Sequence, residues 1–201
     1  MSTDVIAAIA VALGAGWASG LNTYAAVLVL GAAQRLGLVA LPHDLQVLAS
    51  PWVIGAAAIL FALNFFADKI PYIDSINDML QTFVRVPAGA LLAYGAAGGL
   101  SPEVAVIAGL LGGTLAAGTH VAKTGTRALI NTSPEPFTNW TASLGEDVLS
   151  LTVLWLALTH PLVLLAALIL FILVVIWLAP KLWRGLKRLA QALRRVSGHT
   201  A

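Results

Sequence analysis

Polar side chains recur at helical spacing in three segments of an otherwise apolar chain. The first set lies four, three and four residues apart, which puts its members on one helix face: Asp74, Asp78, Gln81 and Arg85. Ionisable groups within or beside apolar segments are costly in lipid, so they usually face a bundle interior, a partner or water. Two carboxylates one turn apart are therefore candidates to bind a cation or carry a coupling proton.

Two further sets follow in the second half of the chain. One is basic and can hold an anionic group such as a phosphate or a carboxylate: His120, Lys123 and Arg127. The other is acidic and amidic, and it begins the next apolar segment: Asn139, Ser143, Glu146 and Asp147. We predict that the three sets meet at one depth and form a substrate-binding or ion-binding site, with no catalytic residue assigned and the identity of any metal left open.

Composition indicates that these residues sit in a membrane protein. Only 10% of the 201 residues are charged and 59% are hydrophobic, whereas a soluble domain carries about 25% charged residues. So much apolar surface cannot be buried inside one small globule. This excludes a disordered chain, a nucleic-acid-binding domain and an ordinary soluble enzyme, and it makes the lipid bilayer the first predicted partner.

Charge-free stretches predict an all-α polytopic bundle of about six transmembrane spans. The predicted spans are residues 5–34, 45–67, 86–102, 104–122, 138–158 and 162–178, forming one transmembrane domain over residues 1–180. The fifth reaches spanning length only by including Glu146 and Asp147. An even number places both termini on one side. With that side cytoplasmic, Arg35 is the only basic residue left outside, while Lys69, Arg85, Lys123, Arg127 and the tail cations lie inside, as the positive-inside rule favours.

Residues 181–201 form a separate basic tail. Six of the eleven basic residues of the chain lie there, and leucines recur among them at helical spacing. This pattern predicts an amphipathic helix on the anionic inner leaflet.

Glycines followed by polar residues recur in the predicted first and fourth spans. The positions are Gly20 with Asn22 and Gly118 with Thr119. Paired glycine-interrupted spans mark helix breaks that expose backbone groups to a substrate in transporters. Close packing of helices through small residues explains the same glycines without any break.

Five strings of the sequence resemble a known family. They are SGLNTYA (19–25), FADKIPYIDSINDMLQTFVR (66–85), GTHVAKTGTR (118–127), NTSPEPFTNW (131–140) and SLGEDVL (143–149). The chain resembles the bacterial membrane-protein family of domain of unknown function 4126, over nearly its whole length except the basic tail. This resemblance implies a membrane protein of the bacterial inner membrane and no particular activity.

The predicted function is a transporter or translocase of a small polar or anionic solute or a lipid headgroup, through a polar cavity that faces the cytoplasm. One alternative is a noncatalytic scaffold in which the polar sets form buried ion pairs that fix the bundle. A less favoured alternative is an intramembrane enzyme, acting on a lipid phosphate or with a divalent metal held by acids and His120. No cofactor is predicted, and the sequence leaves association into a homo-oligomer open.

Overall fold

The computed structural model describes residues 3–70, 73–130, 136–177 and 180, and within these ranges it contains helices and no strand. The helices, in chain order, are α1 (Thr3–Arg35), a 3-10 helix (His43–Ala49), α2 (Pro51–Ala67), α3 (Ile73–Ala96), α4 (Pro102–Ile130), α5 (Pro136–Thr159) and α6 (Pro161–Trp177). The predicted all-α class is confirmed.

The chain divides into two units, Met1–Leu164 and Leu165–Ala201. The first unit holds α1 to α5 and the beginning of α6, and the second continues α6 to Trp177. The basic tail at 181–201 lies outside the described residues, so its amphipathic helix stays a prediction.

The prediction of six spans is wrong for the described residues. Three segments are long and apolar enough to cross a membrane: Asp4–Arg35, Pro102–Arg127 and Phe137–Thr159. The 3-10 helix and α2 meet at a bend of 67°, and the two together add a fourth candidate when they are counted as one broken span.

Two of the predicted spans, 86–102 and 162–178, are not long enough to cross a membrane, each for a different reason. Predicted span 86–102 is interrupted because α3 ends at Ala96 and residues 97–101 connect it to α4. The beginning of α3 cannot make up the missing length in lipid, since it carries charged residues such as Asp74 and Asp78. Helix α6 is apolar but shorter than a typical span.

Helix α1 folds back on itself. A straight helix of its 33 residues would be about 50 Å long. Instead, residues 4–11 near its beginning and residues 39–42 soon after its end line the same cavity of about 370 Å³. The connection from Arg35 to Val39 spans at most about 14 Å. The two ends of α1 therefore lie at one end of the bundle.

The turn of α1 is at Asn22, where the backbone is extended (φ −154°, ψ 97°). Residues 3–21 form a first arm and residues 23–35 a second, and we call the junction at Asn22 the α1 apex. The Asn22 amide oxygen accepts a hydrogen bond from the Ala25 N–H at 3.1 Å, which caps the beginning of the second arm. A break near the glycines of the first predicted span is thus present.

The break predicted at Gly118 and Thr119 is absent, because α4 is a continuous helix through both residues. The Thr119 hydroxyl donates to the Leu115 carbonyl one turn back, so its polar group is satisfied inside the helix. Glycine-rich sequence therefore precedes a helix break in α1 but lies in a continuous helix in α4.

Small residues bring α1, α3 and α4 into close contact. A Cβ added at Gly16 would lie 2.6 Å from the Gly112 Cα, and one added at Gly112 would overlap the Ala93 Cβ and lie 2.8 Å from the Gly89 carbonyl oxygen. Gly20 likewise packs against Ala116 of α4. Backbones approach this closely only where side chains are small.

We predict that Gly112→Ala lowers the melting temperature of the purified chain in detergent, because the added methyl has no space at the contact of α3 and α4. The expected cost is about 1–3 kcal/mol of unfolding free energy. Gly118→Ala is the matched control, since a Cβ there meets nothing within 4 Å and alanine favours a helix by up to about 1 kcal/mol. Equal melting temperatures for the two variants would contradict the packing described.

Candidate functional site

The three polar sets predicted from spacing meet in one buried cluster, at the end of the bundle opposite the cavity that α1 lines. We call it the charge cluster and define it by these residues: Asp68, Lys69, Asp74, Asp78, Arg85, Lys123, Arg127, Glu146 and Asp147. All are buried except Glu146, whose side chain is 16% exposed. They come from α3, α4 and α5 and from the residues that follow α2.

Lys123 lies at the centre of the cluster. Its ammonium nitrogen is 2.7 Å from Asp68 Oδ2, 3.5 Å from Asp78 Oδ1 and 3.4 Å from Glu146 Oε2. One cation thus joins carboxylates from three parts of the bundle. A buried ammonium needs such partners, because an unpaired charge in a low-dielectric interior is strongly destabilising.

Arg127 joins α4 to α5 through a fork. Its Nε and Nη2 donate to the two oxygens of Glu146 at 3.0 and 2.8 Å, the bidentate geometry that suits a guanidinium. Its Nη1 donates to both the carbonyl (3.0 Å) and the side-chain oxygen of Asn139. The Asn139 amide in turn donates to the Asp68 carbonyl at 3.2 Å.

Arg85 and Asp78 form a second pair on α3, at 2.9 Å. Arg85 Nη1 also lies 3.0 Å from His120 Nδ1, and His120 Nε2 lies 2.6 Å from the Thr82 hydroxyl. A guanidinium only donates, so Nδ1 accepts and the proton is on Nε2. His120 is therefore neutral in this arrangement.

Side-chain amides support Asp68 from two helices. Asn64 Nδ2 donates to Oδ2 and Asn77 Nδ2 donates to Oδ1, both at 3.1 Å. Lys69 makes other contacts. Its ammonium lies 3.0 Å from the centre of the Phe65 ring and 3.4 Å from the Ser143 hydroxyl.

The α1 apex is attached directly to the cluster. Asn22 Nδ2 donates to Asp147 Oδ1 at 3.2 Å, and the Ser19 hydroxyl donates to the Arg85 carbonyl at 2.9 Å. On the second arm, the Tyr24 hydroxyl accepts from Gln81 Nε2 at 3.2 Å. The broken helix therefore carries its polar residues to the charged end of α3 and α5.

Several buried polar atoms of the charge cluster and of neighbouring Gln81 have no hydrogen-bond partner among the described residues. The acceptors are both oxygens of Asp74 and Asp78, Gln81 Oε1 and Asp147 Oδ2, and the donors are Arg85 Nε and Nη2. Asp78 still has its ion pairs with Arg85 and Lys123. Asp74 has no ion pair among the described residues and is completely buried.

The structure brings together every residue predicted for the site. It differs from the expected roles in one respect. Lys123 and Arg127, the candidates to hold an anion, are engaged by the protein's own carboxylates, whereas Arg85 keeps unpaired N–H groups. Spacing did not identify Asn64 and Asn77, although Asn64 lies one helical turn before Asp68 and that interval was available as a signal.

Apolar helices of spanning length around a buried set of ionisable residues define the class of this molecule as an integral membrane protein. The chain belongs to the family described as domain of unknown function 4126 (DUF4126), which it matches over residues 9–181. The match contains the whole charge cluster, as the resemblance of the motifs predicted. No curated protein and no solved structure matches the chain.

We predict that Arg127→Met lowers the stability of the bundle by about 3–5 kcal/mol, because Glu146 loses its fork and the oxygens of Asn139 lose their donor. Arg127→Lys should lose less, since it keeps the charge but not the bidentate geometry. Melting temperatures in detergent measure both effects. Thr126→Ala, at the exposed neighbouring position, should melt like the wild-type chain. An Arg127→Met variant as stable as this control would show that the ion pair of Arg127 with Glu146 does not stabilise the bundle.

Proposed function

We propose that the chain is a bacterial inner-membrane transporter or translocase that moves a small polar or anionic solute, or a lipid headgroup, past the charge cluster. The observation that carries the proposal is the seating of the α1 apex on that cluster, where the Asn22 amide meets the Asp147 carboxylate. Broken helices whose interrupted backbone faces a buried polar site are the recurring element of secondary transporters.

The break in α1 also places irregular backbone next to the charge cluster, as the proposed function requires. Irregular backbone at membrane depth is tolerated only where protein or a water-filled cavity satisfies it. Here, among the described residues, the polar contacts of the apex with the rest of the bundle are three single hydrogen bonds, which join Asn22 to Asp147, Ser19 to Arg85 and Gln81 to Tyr24. In the proposed mechanism, these few bonds break when the apex moves aside and admits a solute to the cluster.

The chemistry of the cluster supports a polar solute. Arg85 offers unpaired guanidinium N–H groups and Gln81 offers an unpaired amide oxygen, both buried. A solute with an acidic group and a donor group would satisfy both. Lys123 and Arg127, each already bound to carboxylates, would hold the surrounding helices in place.

The cluster is proposed to face the cytoplasm, as the charge distribution of the sequence predicts. Fewer basic residues support this orientation than the count of cations in the sequence indicated. Arg85, Lys123 and Arg127 are buried in the bundle and do not act as loop cations. Orientation therefore rests on the six basic residues of the 181–201 tail.

A scaffold function is the second candidate, and the density of the ion pairs favours it. Lys123 alone reaches three carboxylates, as expected if the cluster serves only to fix the helices. A scaffold predicts that substitutions in the cluster alter stability and function in proportion. A transporter predicts variants that fold normally and move nothing.

The test is uptake into proteoliposomes that contain the full chain. The probes are inorganic phosphate, a dicarboxylate and an amino acid under inward pH and sodium gradients, with a fluorescent phospholipid for headgroup movement. We expect uptake of at least one probe above that of empty liposomes. Asn22→Ala should change it about tenfold or more, because the apex loses both its cap and the bond to Asp147 that holds it closed.

Gln46→Ala is the control, since Gln46 is an exposed amide on the 3-10 helix, and this variant should transport normally. If no probe moves under either gradient, the transporter proposal fails. It also fails if Asn22→Ala transports at the wild-type rate. Loss of uptake that only follows loss of folded protein would support the scaffold.

A further inference from the structure

Three buried aspartates converge within the charge cluster. Asp68 follows α2, and Asp74 and Asp78 lie one turn apart on α3. One carboxylate oxygen from each lies within 4.8 Å of the other two. Two oxygens that each lie about 2.4 Å from a shared hard cation are at most about 4.8 Å apart. The separation therefore fits three ligands of one ion.

Asp74 is the residue that points to a ligand. Its side chain is 0% exposed, and neither oxygen has a hydrogen bond or ion pair with any described residue. An ionised carboxylate buried in this state is strongly unfavourable unless a cation or a proton neutralises it. Asp68, by contrast, already accepts from two amides and from Lys123.

A second unpaired acceptor lies on the same helix face. Gln81 is 8% exposed, and its Oε1 has no donor, although its Nε2 reaches Tyr24. It follows Asp78 by three residues, one turn along α3. Unpaired buried oxygens thus outnumber unpaired donors here, since the only such N–H groups of the cluster belong to Arg85. An excess of oxygen acceptors is what a hard cation binds.

The charges of the cluster do not balance. Five carboxylates face four cationic side chains, Lys69, Arg85, Lys123 and Arg127. His120 adds no charge because its Nδ1 accepts from Arg85. With all five carboxylates ionised, the described cluster carries one uncompensated negative charge, and the carboxylate with neither a hydrogen bond nor an ion pair is Asp74.

We propose that Asp68, Asp74 and Asp78 bind one monovalent hard cation of the sodium class. A single positive charge neutralises the cluster, whereas a divalent ion would leave an excess positive charge in a buried site. The binding of this ion does not depend on the proposed function. A role of the ion in driving transport would rest on that function.

The test is the melting temperature of the full chain in detergent at constant ionic strength, with sodium chloride replacing choline chloride. Sodium binding to the folded state should raise the melting temperature in a saturable way, by about 3–5 °C. Asp74→Asn should abolish this response. It should melt no lower than the wild type in choline, because it removes an unpaired buried charge.

Glu103→Gln is the matched control, since this acid is exposed at the beginning of α4, and it should keep the full sodium response. Asp74→Asn is preferred to Asp78→Asn because Asp78 pairs with Arg85, so its loss would disturb the fold.

Four outcomes would overturn the proposal. They are a wild-type chain with no sodium response, an Asp74→Asn variant that responds like the wild type, stabilisation by calcium or magnesium well below the sodium concentration needed, and stability that varies with pH alone. The last would assign the neutralising charge to a proton. Binding is measured without transport, so a sodium response with no uptake in liposomes would overturn the proposed function and leave the cation site intact.

Discussion

Burial of Lys123 and Arg127 among carboxylates is the constraint on which the rest of the structure depends. Neither cation can leave water unless oxygens are delivered to it from other helices, and those oxygens come from the end of α2 and from α3 and α5. The ends of four helices must therefore meet at one point. Apolar contacts in lipid cannot specify such a meeting, because lipid tails are as apolar as the helix surfaces.

Close backbone contact is what allows the charges to meet. The contacts of Gly16 with Gly112 and of Gly112 with Ala93 hold α1 and α3 against α4 along the apolar part of the bundle. The charged ends of α3 and α4 then lie within hydrogen-bond reach of each other. The small residues thus set the separation of the helices, and the buried ion pairs set their register.

Much of the site could be predicted from the sequence, because helical spacing is local information. Intervals of three and four residues suffice to place Asp74 and Asp78 on one face, and the cost of charge in lipid brings such faces together. The number of spans was overestimated because charge-free stretches do not show where a helix ends, as α3 does at Ala96 and α6 does after a short run. Asn22 and Gly118 both follow glycine-rich runs, yet α1 breaks and α4 does not. That difference depends on tertiary partners, since Asn22 meets Asp147 across the bundle.

The fold-back of α1 has a consequence for how the chain is assembled. Helix α1 is synthesised before α3 and α5, which supply the partners of its polar apex. Until those helices arrive, Asn22 and Ser19 have no cross-bundle partner to satisfy them in lipid. The cross-bundle hydrogen bonds that hold the α1 apex can therefore form only after α3 and α5 have been made, so the contact of the apex with the charge cluster is a late step of assembly.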